Sequence, residues 1–168
     1  MRTVLLFFFT FAAGAVSAQN ILDSIEIYDY PVREGVIYKY EKKGICSQTY
    51  ASTLSIVSVI TQEDSVFHSE EGVVAGTFSI DNFHGVTIKN ARDEFITYSN
   101  LDALCLKKGD KVSKGMCIGT TAPCEDFSRE LNQVDILVLQ KLKRLPYSKV
   151  LQYILSRSTP KRIYYSTL

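Results

Sequence analysis

The chain has 168 residues, of which 46% are hydrophobic and 22% charged, enough for one ordinary globular core and too apolar for a disordered segment. Its formal net charge is +1, and loss of the first 18 residues would leave 18 basic and 18 acidic side chains. A balanced chain has no long-range attraction for nucleic acid or anionic lipid, so neither is expected as a partner.

Residues 1–18 read as a signal peptide: Arg2 is the basic start, 4–13 the apolar stretch, and Val16-Ser17-Ala18 a small-residue cleavage site before Gln19. The apolar run is short for a bilayer, so stable membrane insertion is not expected and the chain reads as exported, periplasmic or secreted. The mature domain then occupies 19–168. Residues 21–40 alternate loosely in two strands broken at Pro31 and Gly35. Residues 52–61 alternate with β-branched side chains and read as a central strand. Short strands follow at 64–69, 73–80, 85–89 and 95–98, with turn chemistry at 70–72 and 90–93.

The stretch 106–119, LKKGDKVSKGMCIG, reads as a pair of tight corners in which Leu106, Val112, Met116 and Ile118 point into the core. It is not a phosphate loop, since no GxxxxGK[ST] is present. Residues 125–133 suit a short helix or a loop, and 133–140 suit a strand. A helix opens at Pro146 with Val150, Leu151 and Ile154 as its apolar stripe, and the tail from Ser158 is expected to be ordered only in part. Basic residues from Lys141 to Arg162 read as a solvated face. The whole is mostly β, an antiparallel sandwich or open barrel with a short C-terminal helix.

Four cysteines, Cys46, Cys105, Cys117 and Cys124, permit two disulfides and three pairings in an exported chain. Cys105 and Cys117 flank the corners and are the candidate pair. No C-x(2–4)-C spacing suggests zinc, and no GxSxG elbow supports a serine nucleophile.

Five pieces occur in order: EDSV at 63–66, EGVV at 71–74, HGVTI at 84–88, YSNL at 98–101, and the corner at 106–119. Together they resemble the lysostaphin-like (LytM-type) zinc metallopeptidases, whose pattern runs GTPV, DGVV, YGxxVxI, YxHL and VKxGDxVxKGxxIG. The resemblance implies a duplicated hybrid motif fold with its core at about 53–140. It also implies a zinc site formed by HxxxD and the last histidine of HxH, assisted by the histidine of YxHL.

At those positions stand Thr53 and Val57, Gln133 and Asp135, and Asn100. Only two histidines exist, His68 and His84, and two cannot fill four positions. Both read as packed or surface side chains. The expectation is a catalytically inactive domain without cofactor, whose groove over Thr53, Val57, Asn100, Gln133 and Asp135 holds peptidoglycan peptide or a partner such as an envelope hydrolase. The alternatives are an active zinc metalloendopeptidase of peptidoglycan and a structural envelope protein without ligand.

Overall fold

The computed structural model describes residues 21–40, 55–124 and 131–163. The signal segment, Cys46, Thr53 and the region 125–130 lie outside the described residues. Among the described residues twelve strands form one antiparallel sheet: β1 (Ile21–Tyr28), β2 (Glu34–Tyr40), β3 (Val57–Thr61), β4 (Ser65–Phe67), β5 (Gly72–Ile80), β6 (Phe83–Asn90), β7 (Glu94–Leu104), β8 (Lys111–Val112), β9 (Cys117–Pro123), β10 (Asn132–Gln140), β11 (Lys143–Arg144) and β12 (Thr159–Ile163). Among the described residues one helix, α1 (Tyr147–Leu155), precedes the last strand.

The sheet order is β12-β1-β2-β3-β10-β9-β7-β6-β5-β8, with β4 laid on β9 and β11 on β10. β10 meets β3 along one side, while its other side is shared between β9 at Asn132–Gln133 and β7 from Asp135 to Gln140. That divided pairing curls the sheet into a half-barrel. Inside lie Ile27, Ile37, Val59, Val66, Val86, Ile88, Ile96, Ile118, Val134 and Ile136, the buried half of each alternating run.

The corners form where the glycines stand. Gly109 and Gly115 take φ of +91° and +77°, a region in which a side chain is strained. Lys107 N donates to Asp110 Oδ2 at 2.9 Å, closing the first corner. Val112 and Ile118 are buried as expected and Leu106 packs against the core, but Met116 is 40% exposed. Met116 N donates to Ser113 O, so its residue completes a turn and precedes the strand that carries Ile118 inward.

Other expectations shift as well. The helix buries Tyr153 along with Val150 and Ile154, whereas Leu151 is half-buried. The tail forms β12, pairing with β1 from Ser24↔Ile163 to Tyr28↔Thr159 and covering an otherwise open edge. Arg157 does not belong to a solvated face: its guanidinium lies 3.6 Å from the Tyr153 ring centre and pairs with Glu70 at 3.4 Å. Among the described residues, no helix is long and apolar enough to cross a membrane.

Gly119 has a different reason from the corner glycines. A Cβ there would sit 2.4 Å from the backbone oxygen of Ala103 on β7, which cannot move aside cheaply. Gly119→Ala is therefore expected to cost about 1–3 kcal/mol, whereas Gly76→Ala, with nothing within 4 Å, should stay within about 0.5 kcal/mol of wild type. Urea unfolding of the two variants checks the contrast, and equal midpoints would contradict the close approach of β7 and β9.

Candidate functional site

β7 ends its pairing with β10 at Ser99↔Asp135, and the next residue, Asn100, turns to a φ of +60°. The left-handed turn suits asparagine better than most side chains. From there Asn100 Nδ2 donates to Gln133 O at 3.2 Å, and Gln133 Nε2 donates to Asp135 Oδ1 at 2.8 Å. Cys124 Sγ donates to Gln133 Oε1 at 3.2 Å. Ser58, opposite Asp135 in register, also hydrogen-bonds the carboxylate. Desolvation raises the Asp135 pKa above the ordinary carboxyl value, and the hydrogen bonds from Ser58 and Gln133 offset part of that rise.

Three of the residues singled out from sequence thus join in one run of hydrogen bonds: Asn100, Gln133 and Asp135. Val57 does not join them. It pairs with Ile136, is fully buried and belongs to the hydrophobic core. Strand side chains alternate, so the residue beside Asp135 is Ser58. The alternation of 52–61 carried that signal, while the count back from the EDSV piece pointed one residue away. Cys124 had no sequence signal beyond its count among the cysteines.

The donor set does not fit zinc. A catalytic zinc needs three protein ligands and an open position, and the residues at those ligand positions are Thr53, Val57 and Asp135: an alcohol, an aliphatic side chain and one carboxylate already bonded to Gln133. Among the described residues no group of three or more His, Cys, Asp or Glu converges. What remains is a half-buried group of amides, a hydroxyl and a carboxyl, with the buried Cys124 thiol bonded to Gln133.

The two histidines are engaged elsewhere. His84 Nδ1 lies 2.7 Å from Ser79 Oγ at the β5–β6 hairpin. His68, wholly buried, places Nδ1 2.8 Å from the Tyr98 hydroxyl, which lies 2.8 Å from that of Tyr30. Tyr153 packs edge-on against Tyr30 and donates to Glu70 Oε1 at 2.5 Å. Burial works to raise the Glu70 pKa, but the bonds from Tyr153 and Asn90 and the charges of Arg157 and Arg92 hold it below the usual value.

Burial lowers the His68 pKa to about 4, with Arg157 adding to the drop and Glu70 opposing it. The unfolded chain takes up this proton near pH 6.5 and the folded one only near 4. Neutral His68 therefore contributes stability that is complete above about pH 6.5 and falls by about 3 kcal/mol as pH drops to about 4. Denaturant unfolding at several pH values should show that slope, and His68→Leu should flatten it. An unchanged slope in the variant would assign the acid sensitivity to other groups.

Cys105 is exposed, just past the end of β7, and Cys117 is half-buried at the start of the neighbouring β9. Cys105 N donates to Ile118 O at 3.1 Å. Partial burial raises the Cys105 pKa, and the neighbouring Cys117 thiol raises it further.

No family model matches the chain, and no curated protein does either. Among solved structures, a chain of the SpoIIIAH–SpoIIQ complex is 17% identical at a TM-score of 0.56, covering 73% of this chain and 98% of that one. The five sequence pieces fall on β4, β5, β6, β7 and the β8–β9 corner in the order of the family pattern. The fold is lysostaphin-like. A zinc-containing peptidase from Vibrio cholerae is 17% identical at a TM-score of 0.47, and this chain spans 29% of its length. A candidate glycyl-glycine endopeptidase, lytM, from Ruminococcus gnavus is also 17% identical, at a TM-score of 0.34, with 48% of its length spanned. Likeness at such identity concerns the fold and not the activity.

Proposed function

We propose that this chain is a catalytically inactive lysostaphin-like domain of the cell envelope that binds an extended peptide segment of a partner protein. A wall hydrolase is one such partner, and a peptidoglycan peptide is the other ligand of the same shape. The observation that carries the reading is the run Asn100–Gln133–Asp135, with Ser58 and Cys124 bonded into it, at the positions where the family pattern has histidines. Carboxamides neither gain nor lose a proton near neutrality, so Asn100 and Gln133 can hold a peptide but cannot activate water. The neighbour at a TM-score of 0.56 is itself one component of a two-protein complex, which favours a protein partner. Export with cleavage after Ala18 rests on the sequence alone.

The purified mature domain should carry no stoichiometric zinc and should leave peptidoglycan intact when zinc is added. Pull-downs on washed sacculi and on envelope extract should retain a ligand that Asn100→Ala and Gln133→Ala release. Zinc bound one-to-one with chelator-sensitive wall cleavage would restore the enzyme reading. Retention unaffected by both variants would move the binding surface elsewhere.

We also propose that Cys105 and Cys117 form a disulfide after export, each thiol losing a hydrogen as a disulfide oxidant of the envelope takes up the two electrons. Joining the residue that follows β7 to the first residue of β9 suits two neighbouring thiols beside the corner. Intact mass of material alkylated without reduction should show both cysteines protected, and Cys105→Ser should free Cys117 for labelling. Labelling of both in wild-type envelope material would reject the bond.

A further inference from the structure

β5 pairs with β6 along one side from Gly72↔Asn90 to Ile80↔Phe83. Along its other side β8 reaches only Gly72 and Val73, and Gly109 N and Asp110 O hold the backbone of Val74. The register then shifts between Val74 and Gly76, leaving Ala75 as the extra residue. From Gly76 to the turn at Asp81, no described strand covers the outer edge. The five residues are Gly76, Thr77, Phe78, Ser79 and Ile80, with Phe78 38% and Ile80 65% exposed.

Open edges normally carry charge, proline or a bulge that discourages pairing. Here the irregularity comes before the window and the charge, Asp81, after it. The window itself has neither charge nor proline. Its backbone groups are a template for one more strand.

We propose that a second copy of this chain supplies that strand, the two β5 edges pairing antiparallel about a two-fold axis through Phe78. The window is symmetric about that residue, so Gly76 faces Ile80, Thr77 faces Ser79, and Phe78 meets its counterpart. Asp81 then falls opposite Ala75, and no like charges oppose one another. A charged partner strand finds no complementary charge along these five residues, whereas an identical strand meets no penalty. Phe78 is already held in place: its ring lies across Gly85, where a Cβ would come within 2.1 Å of it. Two five-residue strands form a small interface, so the dimer is weak and concentration-dependent.

Sedimentation velocity of the mature domain over a concentration series tests this independently of the peptide-binding reading. Wild type should shift from monomer toward dimer as concentration rises. Thr77→Lys with Ser79→Lys sets lysines opposite each other twice and should remain monomeric. Thr77→Lys with Ser79→Glu sets opposite charges in the same register and should restore the shift, with circular dichroism confirming that both variants fold. Three results would overturn the proposal: a wild type monomeric throughout, a dimer indifferent to the lysine pair, or equal loss in both variants. Amide-exchange protection of 76–80 that needs a different protein to be added would likewise replace the second copy with that protein.

Discussion

Four backbone hydrogen bonds hold the corner onto the rest of the sheet. Gly109 N reaches Val74 O and Val74 N reaches Asp110 O, while Gly115 N reaches His68 O and His68 N reaches Met116 O. The first pair fixes the corner to β5 and the second to the segment after β4. Val112 and Ile118 enter the core only because these bonds set the path between them. Once β9 is placed, its close passage beside Ala103 fixes β7, and β7 in turn presents Asn100 to β10. A lysine-rich loop that looks like surface is thus the clamp from which the candidate site takes its geometry.

A second, polar network ties the flanking elements to the half-barrel. Tyr30 comes from the segment between β1 and β2, Tyr98 from β7, His68 from beyond β4, and Tyr153 from α1. Glu70 gathers Tyr153, Asn90, Arg92 and Arg157 around one carboxylate. Buried polar groups are costly unless bonded, so such a network favours one arrangement of these elements over its alternatives. This ordering role accounts for three of the chain's ten tyrosines.

The fold was legible because its turns are chemical. Asn90, whose Oδ1 accepts from Arg92 N and Glu94 N, and the corner glycines mark reversals that the residue types require. Of the candidate positions, those near such a turn could be located from sequence: Asn100 sits in YSNL, and Gln133 and Asp135 lie on the alternating stretch 133–140. Upstream no turn fixed the count, and an error of one residue moves a strand position to the opposite face, which is how Val57 stood in for Ser58. Arg157 and β12 escaped notice because a cation over a ring and a strand on an edge depend on partners remote in sequence.

The pairing of β12 with β1 also bears on how the domain answers to tension. Ser24 lies opposite Ile163 at one end of the ribbon, and Tyr28 lies opposite Thr159 at the other. A pull applied through the chain before Ser24 and after Ile163 would therefore load the ribbon from a single end. Its bonds would open one after another, as in a zipper, and would not resist together as in shear. The β1–β12 ribbon is thus the element that would yield first, while the strands around Asn100 and the corner, deeper in the sheet, would be spared the initial load.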